Sequence, residues 1–486
     1  MFEPWAKKMR RGQHEPFNQV VKKMRKLVII ALAFISLPIG VAAQTIGFSG
    51  MATPETKGVL GPSNAGLVLS PFKYIAPSNT EKTAGENAPK RTPALQKIVD
   101  MNAAGDYKSA GTEGLVLMAS EKVDDELQLI VANSLAWTGR VKEAVPVYQA
   151  ISKGKYANEA NVGLANINRW RGRDDLALPL YQSVLDRDPA NPDALEGIDM
   201  ASRELSPRTV MSGGISSDSS ELKRRIGAIN HRWRDNSGAN IFEVEANGFY
   251  DWTPTDAEPQ RDLTLRYQSL DLPLKPSLEL NMPTRLNPTL FGVARIKLFE
   301  DQLTLSAGRI NWAKTVANPV AARQGLVANY LGVEANQSFS MGSLVGRVNY
   351  YDISDAGNNT ILTTGLNFNS DWRPLGSHFK PFAGFETRTA KFNAPTYWSP
   401  EKGSGTAYAG LMGEWGEADW NFFASAQLGA PMYGDAGNSW SVSAGGKRWV
   451  SSDIALGLNL WSMASWRDNS AYRAQSLNVY LEKLWR

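Results

Sequence analysis

Three histidines, His14, His231 and His378, are the only imidazoles among 486 residues, and the chain has no cysteine. Nucleophilic catalysis of the Ser–His or Cys–His kind, like zinc ligation, needs a histidine or thiolate beside a second reactive group. His231 stands in Ile229-Asn230-His231-Arg232-Trp233, and His378 follows Gly376-Ser377. Neither is flanked by a G-x-S-x-G elbow or by metal-ligand spacing. The missing cysteines also exclude disulfides, thiolate zinc sites and iron–sulfur clusters. The acid pairs Asp124-Asp125 and Asp174-Asp175 fall at the starts of helical stretches. There a carboxylate meets the positive end of the helix dipole, which is a structural role. No Walker loop, dinucleotide fingerprint or calcium loop occurs. With 52 Lys+Arg against 48 Asp+Glu, the net charge of +4 gives nucleic acid no footing as a partner. The residues read as those of a protein that is not an enzyme and holds no cofactor or metal.

What chemistry remains is recognition by polar and aromatic side chains. Asn133 and Trp137 recur 33 residues later as Asn166 and Trp170, with Arg169 beside the second Trp. Asn offers both a donor and an acceptor, and Trp a flat apolar face, so the two pairs form parallel ladders suited to a sugar polymer. The same positions also suit tryptophans packed between helices, or asparagines that receive a partner's C-terminus or loop.

A second set lies on stretches of strict period two. If the apolar alternate faces lipid, the other alternate carries Glu243, Glu245, Asn247, Arg347, Asn349, Tyr351, Asn367, Asn369, Ser425, Gln427, Ser441, Ser443, Lys447, Asn459, Tyr480 and Glu482. Such a lining is polar, mixed in charge and partly aromatic, and suits a hydrated polymer of sugars. A strongly cationic lining would instead indicate an acidic cargo. A third candidate is the turn-rich stretch Tyr397-Trp398-Ser399-Pro400, expected to narrow or gate an exit.

The elements that hold these residues follow from texture. Lys22-Lys23-Met24-Arg25-Lys26 precedes an apolar run to Ala43 ending Val41-Ala42-Ala43. That order predicts a secretory signal peptide cleaved near Ala43, with Met1 or Met24 as the start. Residues 44–90, with Pro at 54, 62, 71, 77 and 89, read as a Pro/Gly/Ser-rich linker. Residues 91–205 are Ala/Leu-rich and repeat. Gly105, Gly139 and Gly172 are spaced 34 and 33 apart, Ala110, Ala144 and Ala177 follow each, and Tyr148 and Tyr181 recur 33 apart. From 206 to 486 the period becomes two, in runs such as Phe242–Asn247 and Ile454–Leu460, separated by Gly/Asn/Asp turns. This zone holds 12 of the 15 Trp, several at strand ends (Trp415, Trp420, Trp440, Trp449, Trp485). Aromatic rims on alternating strands predict a transmembrane β-barrel, and at about 17 residues per strand and turn some 280 residues predict about 16 strands. A barrel of that size has room for an aqueous lumen.

The 33–34-residue units resemble the tetratricopeptide repeat, of which about three are present, implying an α-solenoid. The order of signal peptide, such repeats and a C-terminal barrel resembles the exopolysaccharide-export porins, the outer-membrane subunits of cellulose and poly-β-1,6-N-acetylglucosamine secretion. At residue level Tyr397-Trp398-Ser399-Pro400-Glu401 is similar to a Tyr-aromatic-Ser-Pro loop segment of the cellulose-type subunit. Gly308-Arg309 with Thr315, then Gly325-Leu326-Val327-Ala328-Asn329, is similar to another stretch of it. Known members carry many more repeats than this chain. The resemblance implies a passive outer-membrane pore with a periplasmic repeat domain. Its partners would be the exopolysaccharide chain, an inner-membrane synthase complex, periplasmic modifying enzymes and outer-membrane lipid. The competing expectation is a receptor or adhesin whose barrel is an anchor and whose repeats dock protein.

Overall fold

The computed structural model describes residues 92–283, 290–299, 302–316, 318–339, 341–370, 372, 378–394, 396–417, 419–467 and 470–486. The predicted signal and linker segments, 1–43 and 44–90, lie outside them.

Seven helices come first among the described residues: α1 (Pro93–Ala103), α2 (Tyr107–Ser120), α3 (Asp125–Trp137), α4 (Val141–Ile151), α5 (Ala157–Trp170), α6 (Asp174–Leu185) and α7 (Pro192–Leu205). They form antiparallel hairpins, turned at Gly105, Gly139 and Gly172, each at positive φ. The alanines that follow these turns, Ala110, Ala144 and Ala177, are fully buried where helices cross. Pro192 opens α7, behind the Asn191 side chain that accepts from Ala194 N at 3.1 Å.

Successive hairpins are locked by one repeated device. The Tyr148 hydroxyl donates to Asn133 Oδ1 at 2.6 Å, and the Tyr181 hydroxyl to Asn166 Oδ1 at 2.5 Å. Each ring sits in a notch left by a glycine of the following helix, Gly163 for Tyr148 and Gly197 for Tyr181. A Cβ at either glycine would fall inside the ring's van der Waals envelope. Both rings are at most 1% exposed. Burial raises both hydroxyl pKa values, that of Tyr181 to about 12.

Sixteen antiparallel strands follow and close into one barrel, each pairing with its sequence neighbours and the last with the first. They are β1 (Arg208–Asp218), β2 (Lys223–Arg234), β3 (Asn240–Trp252), β4 (Ala257–Ser269), β5 (Ser277–Pro283), β6 (Phe291–Leu298), β7 (Leu303–Asn311) and β8 (Val327–Phe339). After them come β9 (Gly342–Ile353), β10 (Asn359–Ser370), β11 (Phe379–Ala390), β12 (Ser404–Glu417), β13 (Trp420–Gly434), β14 (Ser439–Trp449), β15 (Ile454–Arg467) and β16 (Ser470–Leu484). Closure runs from Arg208↔Leu484 to Asp218↔Ala474. The terminal Trp485 therefore lies past the last strand, its indole N–H donating to Thr209 Oγ1 at 2.8 Å.

Period-two alternation sets the faces. Met211, Ile215, Ile229, Val442, Leu456, Leu458, Leu460, Leu477 and Val479 are exposed on the outer surface, the direction lipid occupies. At the rim nearest the helices the outer face carries a stacked row, His231, Trp233, Phe242 and Tyr267, with centroids 5.4–5.6 Å apart. Trp415 and Trp420 continue it, and Tyr250, Trp252, Trp440 and Trp466 mark the distal rim. One expectation is corrected here. Trp449 is not in the outer belt, because its register partner Ala455 is fully buried inside; the ring sits beneath Arg203 and Lys447 at 5.0 and 4.9 Å. A closed, even-stranded antiparallel barrel with an apolar outer band between aromatic belts is a barrel of the outer-membrane type.

The helices sit against the proximal rim through charge. Arg173 on the α5–α6 turn pairs with Asp271 of the β4–β5 turn at 2.6 Å, Arg203 of α7 with Asp419 at 3.4 Å, and Arg486 with Asp199 at 3.2 Å. Asp174, 4% exposed, lies between Arg169 and Arg234 at 3.6 and 3.9 Å. Burial, and then the Glu204 carboxylate, push its pKa up to about 6.

Candidate functional site: the barrel lumen

Register places every residue named above as lumen-lining on the inward face. Glu243, Glu245 and Asn247 alternate on β3 opposite Arg266, Thr264 and Asp262 of β4. Arg347 and Tyr351 on β9 face Glu334 and Tyr330 of β8, and Asn367 and Asn369 lie on β10. Gln427 on β13, Lys447 on β14, Asn459 on β15, and Tyr480 and Glu482 on β16 complete the set.

These residues make two different walls. The wall of β2 to β5 is charged, and its charges close on one another. The Arg266 guanidinium bonds Glu243, Glu245 (2.9 Å) and Glu279 (3.1 Å). Asn247 donates to Glu245 at 2.7 Å and to Asp262 at 3.1 Å, and Asn281 donates to Asp262 at 2.8 Å. Arg224 grips Asp251 through two bonds of 2.5 and 2.8 Å. A charge removed from bulk water is tolerable when it is paired and hydrogen-bonded, and these pairs meet that condition, while Asn247 Oδ1 and Asn281 Oδ1 on the same wall accept no hydrogen bond within the protein.

The wall of β13 to β16 is nearly neutral. Along one register line Asn421, Lys447, Gly457 and Tyr480 stand side by side; the next holds Phe423, Gly445, Asn459 and Asn478, and the next Ser425, Ser443, Trp461 and Ser476. Its inward ion pair Lys447–Glu482, at 3.1 Å, sits at the proximal end, where Arg208 also bonds Glu482 at 3.2 Å.

Two distal connections bend into this lumen. The β7–β8 connection carries two short helices, α8 (Trp312–Val316) and α9 (Pro319–Gln324). Lys314 reaches down to Asp262 at 3.0 Å, while Arg224 donates to the Lys314 carbonyl at 3.2 Å. Arg323 pairs with Asp256 on the same side. At the other end Trp312, 1% exposed, packs on Tyr351 and Tyr397 with centroids 5.0 and 5.7 Å away, beside the buried Ile353 and Ile361. The β11–β12 connection supplies that Tyr397. Its hydroxyl donates to Asp355 at 2.5 Å and accepts from Asn359 at 3.1 Å. Trp398 lies between the guanidinium groups of Arg388 and Arg467 at 5.4 and 4.8 Å and donates to Asp435 at 3.2 Å. The Ser399 hydroxyl accepts from Ala394 N at 2.6 Å, and the Pro400 carbonyl from Ala390 N at 3.1 Å. The two connections thus form one packed lid inside the distal mouth.

The residues expected to line a repeat groove are drawn into the helical stack. Asn133 and Asn166 accept from the buried tyrosines, and Arg169 reaches Met200 and Asp174. Trp137 is half-buried, edge-on to Tyr107 at 4.9 Å, and Trp170 packs against the first helical core. His231 faces outward on Trp233, its Nδ1 2.9 Å from Thr209 Oγ1, and His378 stacks near Trp415 at 6.1 Å. Asp262, Arg266, Trp312, Lys314 and Trp461 were not singled out from the sequence. The first two continue the period-two pattern into β4, and Trp312 and Lys314 fall where that pattern stops before Asn318-Pro319.

No known protein-family model matches the sequence, and a search of curated proteins finds no match. Among solved structures, a bacterial polysaccharide outer membrane secretin is similar at 10% identity, covering 58% of this chain and all but 1% of its own (99%), with a TM-score of 0.47. OccK11 of Pseudomonas aeruginosa is 10% identical over 58% of this chain and 96% of its own, at a TM-score of 0.34. A BenF-like porin from Pseudomonas fluorescens Pf-5 is 8% identical over 58% and 98%, also at 0.34. At these identities the likeness is one of barrel fold.

Proposed function

We propose that this chain is an outer-membrane pore that passes an exopolysaccharide, cellulose-like or poly-N-acetylglucosamine-like, from the periplasm to the cell surface. The observation that carries the reading is the lumen lining: inward-facing amides, hydroxyls and aromatic rings beside a charged wall that neutralises itself. Sugar hydroxyls exchange hydrogen bonds with such a lining, and pyranose faces slide over rings. The pore is a passive conduit, with energy supplied upstream by an inner-membrane synthase complex. The hairpins, read as tetratricopeptide repeats, face the periplasm and receive the polymer, the synthase or periplasmic modifying enzymes. Fastened to the proximal rim, they stand where a polymer enters. The receptor or adhesin alternative calls for long aromatic loops turned outward, whereas the helices Trp312–Val316 and Pro319–Gln324 and the residues Tyr397 and Trp398 turn into the lumen.

Deletion of the gene in its own host tests this reading. Surface polysaccharide should disappear and return on complementation with the full chain. Undiminished surface polymer after deletion would overturn the proposal.

A further inference from the structure

The outer face of the barrel is not apolar all the way round. Arg224, Asp262 and Ala474 are buried on the inner side, so their neighbours Lys223, Arg225, Arg261 and Arg473 point outward. All four are exposed. They lie on β2, β4 and β16, at the end of the barrel remote from the helices. Lys223 stands opposite Trp252 and Arg225 opposite Tyr250 of the distal aromatic rim, and Arg225 lies over the Trp252 ring at 5.2 Å. The carboxylates of β3 and β4 face the other way, since Asp251, Glu258 and Asp262 are all buried inside. Asp251 and Asp262 are there paired with Arg224 and Lys314. Among the described residues, Lys223, Arg225 and Arg473 take part in no ion pair. The outer face of this arc is therefore cationic.

Register makes the four charges neighbours. Ser217 of β1 lies between Gln475 and Lys223, Arg473 is one outward position beyond Gln475, and Arg225 one outward position below Lys223. Arg261 follows Arg225 across β3 in the same way. At strand spacings of about 4.8 Å and residue rises of about 3.4 Å, each cation is about 7–12 Å from the next along the arc. Long side chains from two such positions can reach one headgroup. Elsewhere on the distal outer face the residues are uncharged, as with Leu362, Thr387, Ala407 and Ala430. The charge is thus local and not a property of the whole rim.

Beside Arg473 the same face opens into a hollow of about 1170 Å³, lined by Ser217, Gln475, Ser462, Ala464, Trp440 and Trp466. Hydroxyls and an amide on a lipid-facing surface are costly against hydrocarbon and suited to a polar headgroup. Cations on such a surface settle at headgroup level, where anionic lipid draws them and a guanidinium fork fits a phosphate. From this face we infer that the barrel holds a lipid bearing several anionic phosphates in the leaflet remote from the helices. Its phosphates meet Arg473, Lys223, Arg225 and Arg261, and its hydroxyl-bearing part fills the hollow between Trp440 and Trp466. The inference needs only a membrane barrel and stands apart from the export reading.

Native mass spectrometry of the full-length protein in detergent, titrated with diphosphoryl lipid A and with the same lipid freed of phosphate, tests this. The phosphorylated lipid should form a saturable adduct. The dephosphorylated lipid should bind at least about tenfold more weakly, as should the phosphorylated lipid to Arg225→Gln/Arg473→Gln, charge-assisted bonds at exposed positions being lost in both cases. Arg448→Gln removes a cation from the same outer face at the opposite rim, where Arg448 lies opposite Trp420, and should leave binding unchanged. Heat-modifiable electrophoretic mobility verifies that each variant is a folded barrel. Equal affinity for the two lipids would overturn the phosphate recognition without recourse to any variant. Wild-type affinity in the distal double variant, or an equal loss with Arg448→Gln, would overturn the site. Surface polymer after gene deletion judges export separately.

Discussion

Trp312 is the residue on which closure of the distal mouth turns. It is 1% exposed and joins the β7–β8 connection to Tyr351 of the wall and Tyr397 of the other inward connection. Truncating a fully buried Trp to Ala costs about 3–5 kcal/mol. Its indole N–H makes no hydrogen bond within the protein, so no bond is lost and the lower end applies. At about 1.4 kcal/mol per decade, some 3 kcal/mol moves the ratio of closed to open lid by about 150-fold. The clamp on the opposite side, Lys314 to Asp262 and Arg323 to Asp256, survives the change, so the segment loosens at one end without leaving the lumen. In planar bilayers, Trp312→Ala should show a much larger fraction of time at high conductance than wild type, and Trp312→Phe an intermediate one. Adding Lys314→Met should open the pore further. Wild-type conductance and open fraction in a correctly folded Trp312→Ala barrel would refute the lid.

Other expectations concern the helices and the charged wall. Gly163→Ala removes a helix-interior glycine, normally a gain of up to about 1 kcal/mol, but here overpacks the Tyr148 ring at a cost of about 1–3 kcal/mol. The helical urea transition, followed by circular dichroism in detergent, should move to lower urea, and a gain in stability would contradict the lock. For Asp174 the folded pKa, about 6, lies above the ordinary 3.8. The folded state therefore binds the proton more tightly, and its contribution is full below about pH 4 and lost as pH rises through about 6. Glu204, which burial raises but Arg208 and Arg232 draw down to about 2, titrates below that window. Helical melting should occur at higher temperature at pH 5 than at pH 7.5, by an amount corresponding to at most about 1.4 kcal/mol, the single unit between pH 5 and the folded pKa. Asp174→Asn should flatten this dependence; an unchanged pH profile in the variant would discard the assignment. Glu245→Gln subtracts one inward negative charge, so the reversal potential in a KCl gradient should shift toward anions, and no shift would place Glu245 outside the ion path.

The barrel was legible in the sequence because period two is a local property. Phe242–Asn247 and Ile454–Leu460 state their two faces residue by residue, and turn residues count the strands. The hairpins were legible for the same reason, since glycine, alanine and tyrosine recur at one spacing. Of the distal connections, the sequence offers Tyr397–Pro400 as a stretch expected to narrow or gate the exit, and Gly325–Asn329 by resemblance, but not the helix that packs against them. Trp312 and Lys314 sit in a stretch without periodicity, and their partners Tyr351 and Asp262 are distant in sequence and related only by curvature of the sheet. Trp449 shows a similar limit, because a Trp at a strand end reads as a belt residue until the register shows which way it points. Asn133 and Asn166 read as groove residues because the sequence did not show that Tyr148 and Tyr181 would take their oxygens.

Single-channel current through the full-length protein in planar bilayers, with and without β-linked glucan and N-acetylglucosamine oligomers on the side of the helices, tests the central claim most directly. A conducting pore that one class of oligomer interrupts in a concentration-dependent way is the predicted result. Steady current indifferent to every oligomer would contradict a lumen built to carry polysaccharide.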